Sequence, residues 1–141
     1  MLAPPPEALA ALDARAFAVP WPAADFARLL ANRAVGAWLL RVDGVDSAYL
    51  CFQWTAEEAE VYRIAVVPEQ RRRGHARLLL DRFAAWARGQ QVQRIFLEVR
   101  ESNLPAVQLY RSAQFAVVAR RKGYYTAPPE DALIMEQVLP G

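Results

Sequence analysis

Hydrophobic residues recur along this chain with two spacings, the three-to-four-residue spacing of helices and the two-residue alternation of strands. Near the start, Phe26, Leu29 and Leu30 fall at positions i, i+3 and i+4 and predict a helix after the sequence PWP. Residues 7–17 also predict a short helix, because the prolines before them fit a first turn and Glu7 suits its positive end. The N-terminal part is therefore expected to form two helices.

Extended segments follow these helices. Two apolar runs, 37–42 and 47–54, flank Asp43-Gly44, and this dipeptide between apolar runs is a strong hairpin signal. A third run, EVYRIAVV, ends at Pro68, because proline lacks the N–H group that a strand ladder needs. Two antiparallel strands and a third strand are therefore predicted.

The second half of the chain mixes helical and extended spacing. Residues 76–89 place their apolar side chains on one helical face, and residues 94–100 alternate as in a strand. A further helix is predicted with Asn103 as its cap and Pro105 in its first turn, followed by two final strands, FAVVARR and ALIMEQVL. The order strand, helix, strand, helix, strand implies a mixed α/β fold with at least one parallel pairing through a right-handed crossover.

Composition narrows the class of protein. The chain has 141 residues, of which 55% are hydrophobic and 23% are charged, as in ordered globular proteins. This length suits a single domain over residues 1–141. No apolar run approaches the roughly 20 residues of a membrane span, and Glu7 and Asp13 do not fit a secretory or mitochondrial signal. A cytoplasmic protein with no membrane partner is therefore expected.

The charge and the cysteine content argue against a nucleic-acid-binding protein, a disulfide-bonded protein and a Cys/His metal site. The formal net charge of +2 is too small to indicate a nucleic-acid-binding protein, although basic residues cluster locally. Cys51 and His75 are the only cysteine and the only histidine. An intrachain disulfide therefore cannot form, and a Cys/His metal site is not expected. Cys51 is expected to pack as a small hydrophobic residue.

The stretch PEQRRRGHA carries candidate binding chemistry. It places three arginines, 71–73, beside Gly74, between the end of one strand and the start of one helix. Backbone N–H groups and the helix dipole favour an anion at such a point, and glycine lets the backbone approach it closely. Phosphate is the natural ligand, but the spacing alone fits a solvated basic loop or an RNA-contacting patch equally well.

The sequence IAVVPEQRRRGHARLLL, followed by FLEVRESNLPAVQLYRSAQF, resembles the core of the GNAT family of acetyl-CoA-dependent N-acetyltransferases. The family's loop pattern is Arg or Gln, two variable residues, Gly, one variable residue, and Gly or Ala. Arg71, Gly74 and Ala76 satisfy this pattern. The resemblance implies the GNAT fold, an α/β fold whose mixed, mostly antiparallel central sheet is flanked by helices. Because the chain starts almost directly with a helix, the family's usual first strand has no obvious counterpart.

Within the family, the chain is similar to the RimI branch, the ribosomal-protein alanine N-acetyltransferases. The similarity is carried by LEVR, SN, LY, YY and EDALIM and, upstream, by ARAFAVPWPAADF. It implies acetyl transfer from acetyl-CoA to a protein N-terminal α-amino group, specifically the N-terminal alanine of a ribosomal protein. Transfer to a lysine or a small-molecule amine, and acetyl-CoA binding without transfer, stay open as alternatives. RNA binding is disfavoured because no aromatic RNA-binding strand motif is present.

The same resemblance implies two catalytic residues. Glu98 falls at the general-base position and Tyr110 at the general-acid position of the RimI branch. Both have structural alternatives: Glu98 as a solvated strand residue paired with Arg100, and Tyr110 as a tyrosine at the edge of the core. An α-amino group has a pKa near 7.7–8.0, whereas the pKa of lysine is near 10.4, so a carboxylate base favours an N-terminal acceptor.

The remaining site residues are also implied by the resemblance. Strand amides are expected to pair with the pantetheine arm, and the arginine-rich loop is expected to hold the pyrophosphate, with Asn103 acting both as helix cap and as cofactor contact. Aromatic residues are expected to line the acceptor groove. The cofactor set is Ile64, Ala65, Val66, Arg71, Arg72, Arg73, Gly74, His75, Ala76, Arg77 and Asn103, and the acceptor set is Trp21, Tyr124 and Tyr125.

The sequence RSAQF departs from the family, which commonly has glycine before the phenylalanine. Gln114 occupies this position, where the helix must stop and reverse into the next strand. Such helix ends commonly place one residue in the left-handed region. A positive φ is therefore predicted for Gln114.

Overall fold

The computed structural model describes residues 4–140, which contain four α-helices and six strands. The elements predicted from the hydrophobic pattern are confirmed, with shifts at their ends. The largest shift is in the fifth strand, which was predicted to end at Arg121 but continues to Thr126, so that Tyr124 and Tyr125 lie in a strand and not in a connection. The helices are α1 (Pro6–Ala16), α2 (Ala23–Leu30), α3 (His75–Gly89) and α4 (Leu104–Ser112). The strands are β1 (Val35–Val42), β2 (Val45–Trp54), β3 (Glu58–Val66), β4 (Arg94–Arg100), β5 (Ala116–Thr126) and β6 (Pro129–Val138).

All six strands belong to one sheet in the order β1-β2-β3-β4-β6-β5. Its neighbours are antiparallel except β3 and β4, which run parallel, so the predicted parallel pairing and the mostly antiparallel sheet are confirmed. Each of these strands follows α2. Residues 1–3 lie outside the described residues, so the missing first strand and the single domain over residues 1–141 stay predictions.

The parallel ladder between β3 and β4 is short. It ends at the pair Val61 and Leu97, although β3 continues to Val66 and β4 to Arg100. The register between β2 and β3 shifts next to this point, so that Tyr62 has no partner in β2 and forms a bulge. Bulges bend a strand and change its twist locally. The sheet consequently opens between β3 and β4.

Helices cover both faces of the sheet. Alternate residues of β2 separate into two cores, as the strand pleat requires: Leu50 and Phe52 pack in the cluster with α3 and α4, whereas Tyr49 and Cys51 pack in the cluster with α1 and α2. Cys51 is fully buried, as expected for a small hydrophobic residue, and burial raises the pKa of its thiol to about 11.

Two turns confirm predictions that were made from one or two residues each. Asp43 and Gly44 have φ values of 53° and 79°, and positive values at both central positions belong to the two-residue hairpin turn that the dipeptide predicts. Gln114 has a φ of 75°, as predicted. The helix end is a Schellman motif, because the Phe115 N–H donates to the Tyr110 carbonyl at 2.9 Å and the Gln114 N–H donates to the Arg111 carbonyl at 3.1 Å.

No helix within residues 4–140 is long and apolar enough to cross a membrane.

Candidate active site

A cleft of about 1150 Å³ opens where β3 and β4 separate. It is lined by the end of α1, by α2, β3, β4 and α4, by the loop before α3, and by β5. Among the sixteen residues predicted for the site, only Arg73 does not line this cleft. The structure therefore brings together residues that are separated by about a hundred positions in the chain.

One part of the cleft, here called the cofactor end, comprises residues 64–66 of β3, the loop 71–74 and residues 75–77 at the start of α3. Beyond Val61 the β3 edge that faces β4 has no partner strand, so backbone groups of residues 64–66 on that edge are free of the sheet ladder. Unpaired backbone groups at a strand edge are ready partners for an extended ligand. This matches the geometry expected for contact with a pantetheine arm.

The loop at the cofactor end has the backbone geometry of an anion site. Gly74 precedes the first residue of α3 and has a φ of 82°, and Arg72 has a φ of 65°. A Cβ placed on Gly74 would meet no atom within 4 Å, so open space lies against this glycine. The first N–H groups of α3 have no intrahelical acceptors. These features fit the pyrophosphate of coenzyme A.

The three arginines of the loop have different surroundings. Arg71 donates to the Val66 carbonyl at 3.1 Å and to the Ala16 carbonyl at 2.9 Å, so its guanidinium ties the loop to β3 and α1. Arg73 lies outside the cleft and donates to Gln70. Arg72 lines the cleft, and its guanidinium donates to no described residue. Arg72 is therefore the loop arginine best placed to meet an anion.

Glu98 lies on β4 at the first position beyond the ladder with β3. Its Oε1 is 3.5 Å from Nη1 of Arg121. Glu98 is the main cause that raises the pKa of the nearby Tyr124. The carboxylate thus faces the cleft beside Arg121 and Tyr124, rather than pairing with Arg100, which contacts Glu130 instead.

Tyr110 lies on α4 and is 9% exposed, with its ring 6.1 Å from that of Phe115. Burial, followed by the neighbouring Tyr125, raises the pKa of Tyr110 to about 12. Its hydroxyl therefore stays protonated at neutral pH and suits a proton donor. The Asn103 side chain accepts from the Ala106 N–H at 3.3 Å, which confirms the predicted helix cap.

Glu60 was not among the predicted site residues, but it lines the cleft together with Glu98. Burial, and then the charge of Glu98, raise the pKa of Glu60, while Arg121 acts in the opposite direction. Both carboxylates also line an adjoining cavity of about 480 Å³. The sequence did contain a signal for Glu60 as a site residue, because it interrupts an apolar strand as Glu98 does.

Aromatic side chains form the acceptor end of the cleft, defined here by Phe17, Trp21, Tyr124 and Tyr125. Phe17 and Trp21 follow α1, and the two tyrosines belong to β5. Tyr124 and Tyr125 meet edge to face, with ring centroids 5.1 Å apart. Phe17, Arg63 and Arg100 also line the cleft, and they were not among the predicted site residues.

No group of three or more His, Cys, Asp or Glu within residues 4–140 is arranged to hold a metal ion.

Comparison with known proteins decides the family. Residues 7–115 match the model of the Acetyltransferase (GNAT) family. The chain belongs to the GNAT acetyltransferase family. It is therefore an acetyl-CoA-dependent N-acetyltransferase, and the predicted fold class, enzyme class and cosubstrate are confirmed.

Individual GNAT proteins are similar to this chain over most of its length. The [ribosomal protein bS18]-alanine N-acetyltransferase of Escherichia coli K12 is 35% identical over 126 residues, which cover 88% of this chain and 84% of that protein. An N-alpha-acetyltransferase of Saccharolobus solfataricus is 35% identical over 117 residues, covering 82% and 70%. The crystal structure of the E. coli ribosomal-protein-S18-alanine N-acetyltransferase superposes with a TM-score of 0.89 at 32% identity, covering 96% of this chain and 88% of that chain.

Proposed function

We propose that this GNAT enzyme acetylates the N-terminal α-amino group of a protein, and specifically the N-terminal alanine of a ribosomal protein. The observation that carries this proposal is the 35% identity to the E. coli bS18-alanine N-acetyltransferase over 88% of the chain. Because that similarity covers 88% of the chain, it includes most of the residues that line the cleft. A cytoplasmic location, where ribosomal proteins are made, is part of the proposal.

The proposed mechanism assigns one proton transfer to each of two side chains. Acetyl-CoA, when bound, supplies an acetyl thioester that an amine can attack. Glu98 accepts the proton that the acceptor amine must lose, directly or through water, and Tyr110 donates a proton to the departing sulfur. The raised pKa of Tyr110, about 12, keeps its proton available for this step.

Binding residues hold the two reactants in line. The cofactor end, with Arg72, Gly74 and the first turn of α3, is proposed to hold the pyrophosphate, while residues 64–66 and Asn103 contact the rest of coenzyme A. Arg71 acts in this scheme by fixing the loop. Trp21, Tyr124 and Tyr125 line the path of the acceptor peptide.

The proposed acceptor can be tested with two peptides of the same length. One begins with a free alanine and contains no lysine, and the other has a blocked N-terminus and one internal lysine. The purified enzyme is incubated with acetyl-CoA and each peptide, and the acetyl mass increment is measured. We expect modification of the first peptide at the α-amine. Preferential modification of the lysine peptide would overturn the proposal, and so would inactivity on both peptides while acetyl-CoA binds.

A further inference from the structure

A buried ion pair joins the first helix to the strand that enters the cofactor end. Asp13 of α1 is fully buried. Arg63 of β3 donates to both of its carboxylate oxygens, from Nε to Oδ1 and from Nη2 to Oδ2, each at 3.0 Å. The Tyr49 hydroxyl donates to Oδ1 at 2.6 Å. A buried carboxylate is tolerated only when it is paired and hydrogen-bonded, and Asp13 meets both conditions.

The guanidinium of Arg63 also contacts two aromatic rings. Its Cζ atom lies 4.0 Å from the ring centroid of Phe17 and 4.3 Å from that of Trp21. A planar, weakly hydrated guanidinium suits such stacking, which a lysine ammonium cannot reproduce. The backbone N–H of Trp21 donates to Oδ2 of Asp13 at 2.8 Å. The Asp13–Arg63 ion pair therefore contacts the rings of Phe17 and Trp21 and the backbone N–H of Trp21.

These contacts hold a segment that has little regular structure of its own. Between α1 and α2, residues 17–22 form neither helix nor strand, and Pro20 and Pro22 have no N–H group to donate. Phe17 and Trp21 nevertheless line the cleft next to Arg63. Both rings are thus held by contacts with neighbouring elements: Phe17 caps α1 and contacts Arg63, and Trp21 contacts Arg63, Asp13 and, with ring centroids 5.5 Å apart, Phe26 of α2.

We propose that Arg63 is a positioning residue for the acceptor, with Asp13 as its buried anchor. Arg63 directly precedes residues 64–66, so a single strand carries both the expected pantetheine contact and the guanidinium that holds Phe17 and Trp21. The aromatic wall is thereby kept at a set position relative to the thioester. This inference rests on the proposed function, in which these rings contact the acceptor.

Arg63→Lys tests the proposal because it keeps the charge near Asp13 but removes the bidentate geometry and the planar stack. We expect KM for the acceptor to rise about tenfold or more, with kcat and KM for acetyl-CoA within about twofold of wild type. The matched control is Arg41→Lys, which alters the pair of Arg41 with Asp46 at the β1–β2 hairpin. This control should leave both KM values unchanged.

A second measurement does not depend on activity. Hydrogen exchange of residues 17–22 should accelerate in Arg63→Lys, above all at the Trp21 amide, and should not change in Arg41→Lys. If Arg63→Lys does not fold, Phe17→Leu removes one stacked ring, leaves the ion pair in place, and should show the same selective rise in acceptor KM.

The outcomes separate this inference from the proposed function. If the wild-type enzyme is inactive on the alanine peptide but acetylates another amine, the proposed function fails and the KM comparison is made with that amine. A selective rise in acceptor KM together with faster exchange supports the positioning role. Equal changes in both KM values, or unchanged exchange at Trp21, would overturn it.

Discussion

The two ends of the cleft are built from different parts of the protein. At the cofactor end, the lining residues lie within one stretch, residues 64–77, whose distinctive features are the unpaired edge of β3 and the positive φ values at Arg72 and Gly74. At the acceptor end, the distinctive features are aromatic side chains, which come from the segment after α1 and from β5. The comparison implies that the cofactor end is sensitive to changes in backbone conformation, whereas the acceptor end is sensitive to changes in side-chain chemistry. The two residues proposed for proton transfer, Glu98 and Tyr110, lie between them, on β4 and α4.

Arginine residues hold both sides of the acceptor end, but with different burial. Arg63 pairs with the fully buried Asp13, whereas Arg100 pairs with Glu130 at 3.3 Å and lies 4.1 Å from the ring centroid of Tyr125. The Arg100–Glu130 pair is half-buried, whereas the carboxylate of Asp13 has no exposed surface. Because breaking a more deeply buried pair is more costly, loss of Arg63 should disturb its wall more than loss of Arg100 disturbs the other.

The largest expected effect is on the rate of acetyl transfer, with no matching effect on acetyl-CoA binding. Glu98→Gln removes the proposed base, so turnover should fall about 10²-fold or more while acetyl-CoA affinity stays nearly unchanged. Single-turnover kinetics and calorimetric titration measure the two quantities. Glu101→Gln is the control, because Glu101 pairs with Arg120 outside the cleft. Near-normal turnover in Glu98→Gln would remove this residue from the mechanism.

Tyr110→Phe should slow transfer by about tenfold or more, because the departing sulfur loses its proton donor. The pKa of Tyr110 is about 12, above the usual value of 10, so the hydroxyl keeps its proton up to that pH. Wild-type kcat should consequently show no loss from deprotonation of Tyr110 between pH 7 and pH 10. A pH profile of both enzymes checks this, and full activity of Tyr110→Phe would assign the tyrosine to packing.

A backbone change should affect the cofactor end alone. Gly74→Ala places a Cβ in the open space of the loop and a non-glycine residue at a φ of 82°, which costs roughly 1–2 kcal/mol. We expect KM for acetyl-CoA to rise about tenfold, with acceptor KM unchanged. Gly44→Ala is matched in backbone strain, with a φ of 79° and no atom within 4 Å, but lies in the β1–β2 turn. An equal rise in acetyl-CoA KM in both variants would contradict the prediction.

The smallest expected effect involves neither end of the cleft. Gln114 has a φ of 75°, so Gln114→Gly should relieve strain and raise the free energy of unfolding by about 0.5–1 kcal/mol, part of the relief being offset by the added entropy of the unfolded chain. Activity should not change. Gln91→Gly, at a φ of 64°, offers a second site of the same kind after α3. Chemical denaturation measures both, and destabilisation by Gln114→Gly alone would show that side-chain contacts outweigh strain there.

The features that could be predicted from sequence depend on neighbouring residues. The hairpin at Asp43-Gly44, the loop at Gly74 and the positive φ of Gln114 each follow from a few adjacent residues and their allowed backbone angles. The resemblance to the family motif also predicted the position of Tyr110. Because these constraints are local, the order of the elements and the cofactor end could be anticipated.

The features that could not be predicted join distant segments. Asp13 and Arg63 are 50 positions apart, and either charge alone suggests a solvated surface residue. Arg100 and Glu130 are 30 apart. Glu60 was overlooked because an acidic residue in an amphipathic strand usually faces solvent. Only the arrangement of β3 beside β4 shows that this carboxylate stands next to Glu98.

The short ladder between β3 and β4 divides the sheet into two antiparallel blocks, β1–β3 and β4–β6. The cleft follows the boundary between these blocks, with residues 64–66 and the loop at Gly74 on one side and Glu98, Asn103 and Tyr110 on the other. A ligand that bonds to the free edge of β3 while contacting α4 would therefore join the two blocks. Such a ligand would bind the folded chain and not the unfolded one, so the stability of the fold would rise with the ligand's concentration.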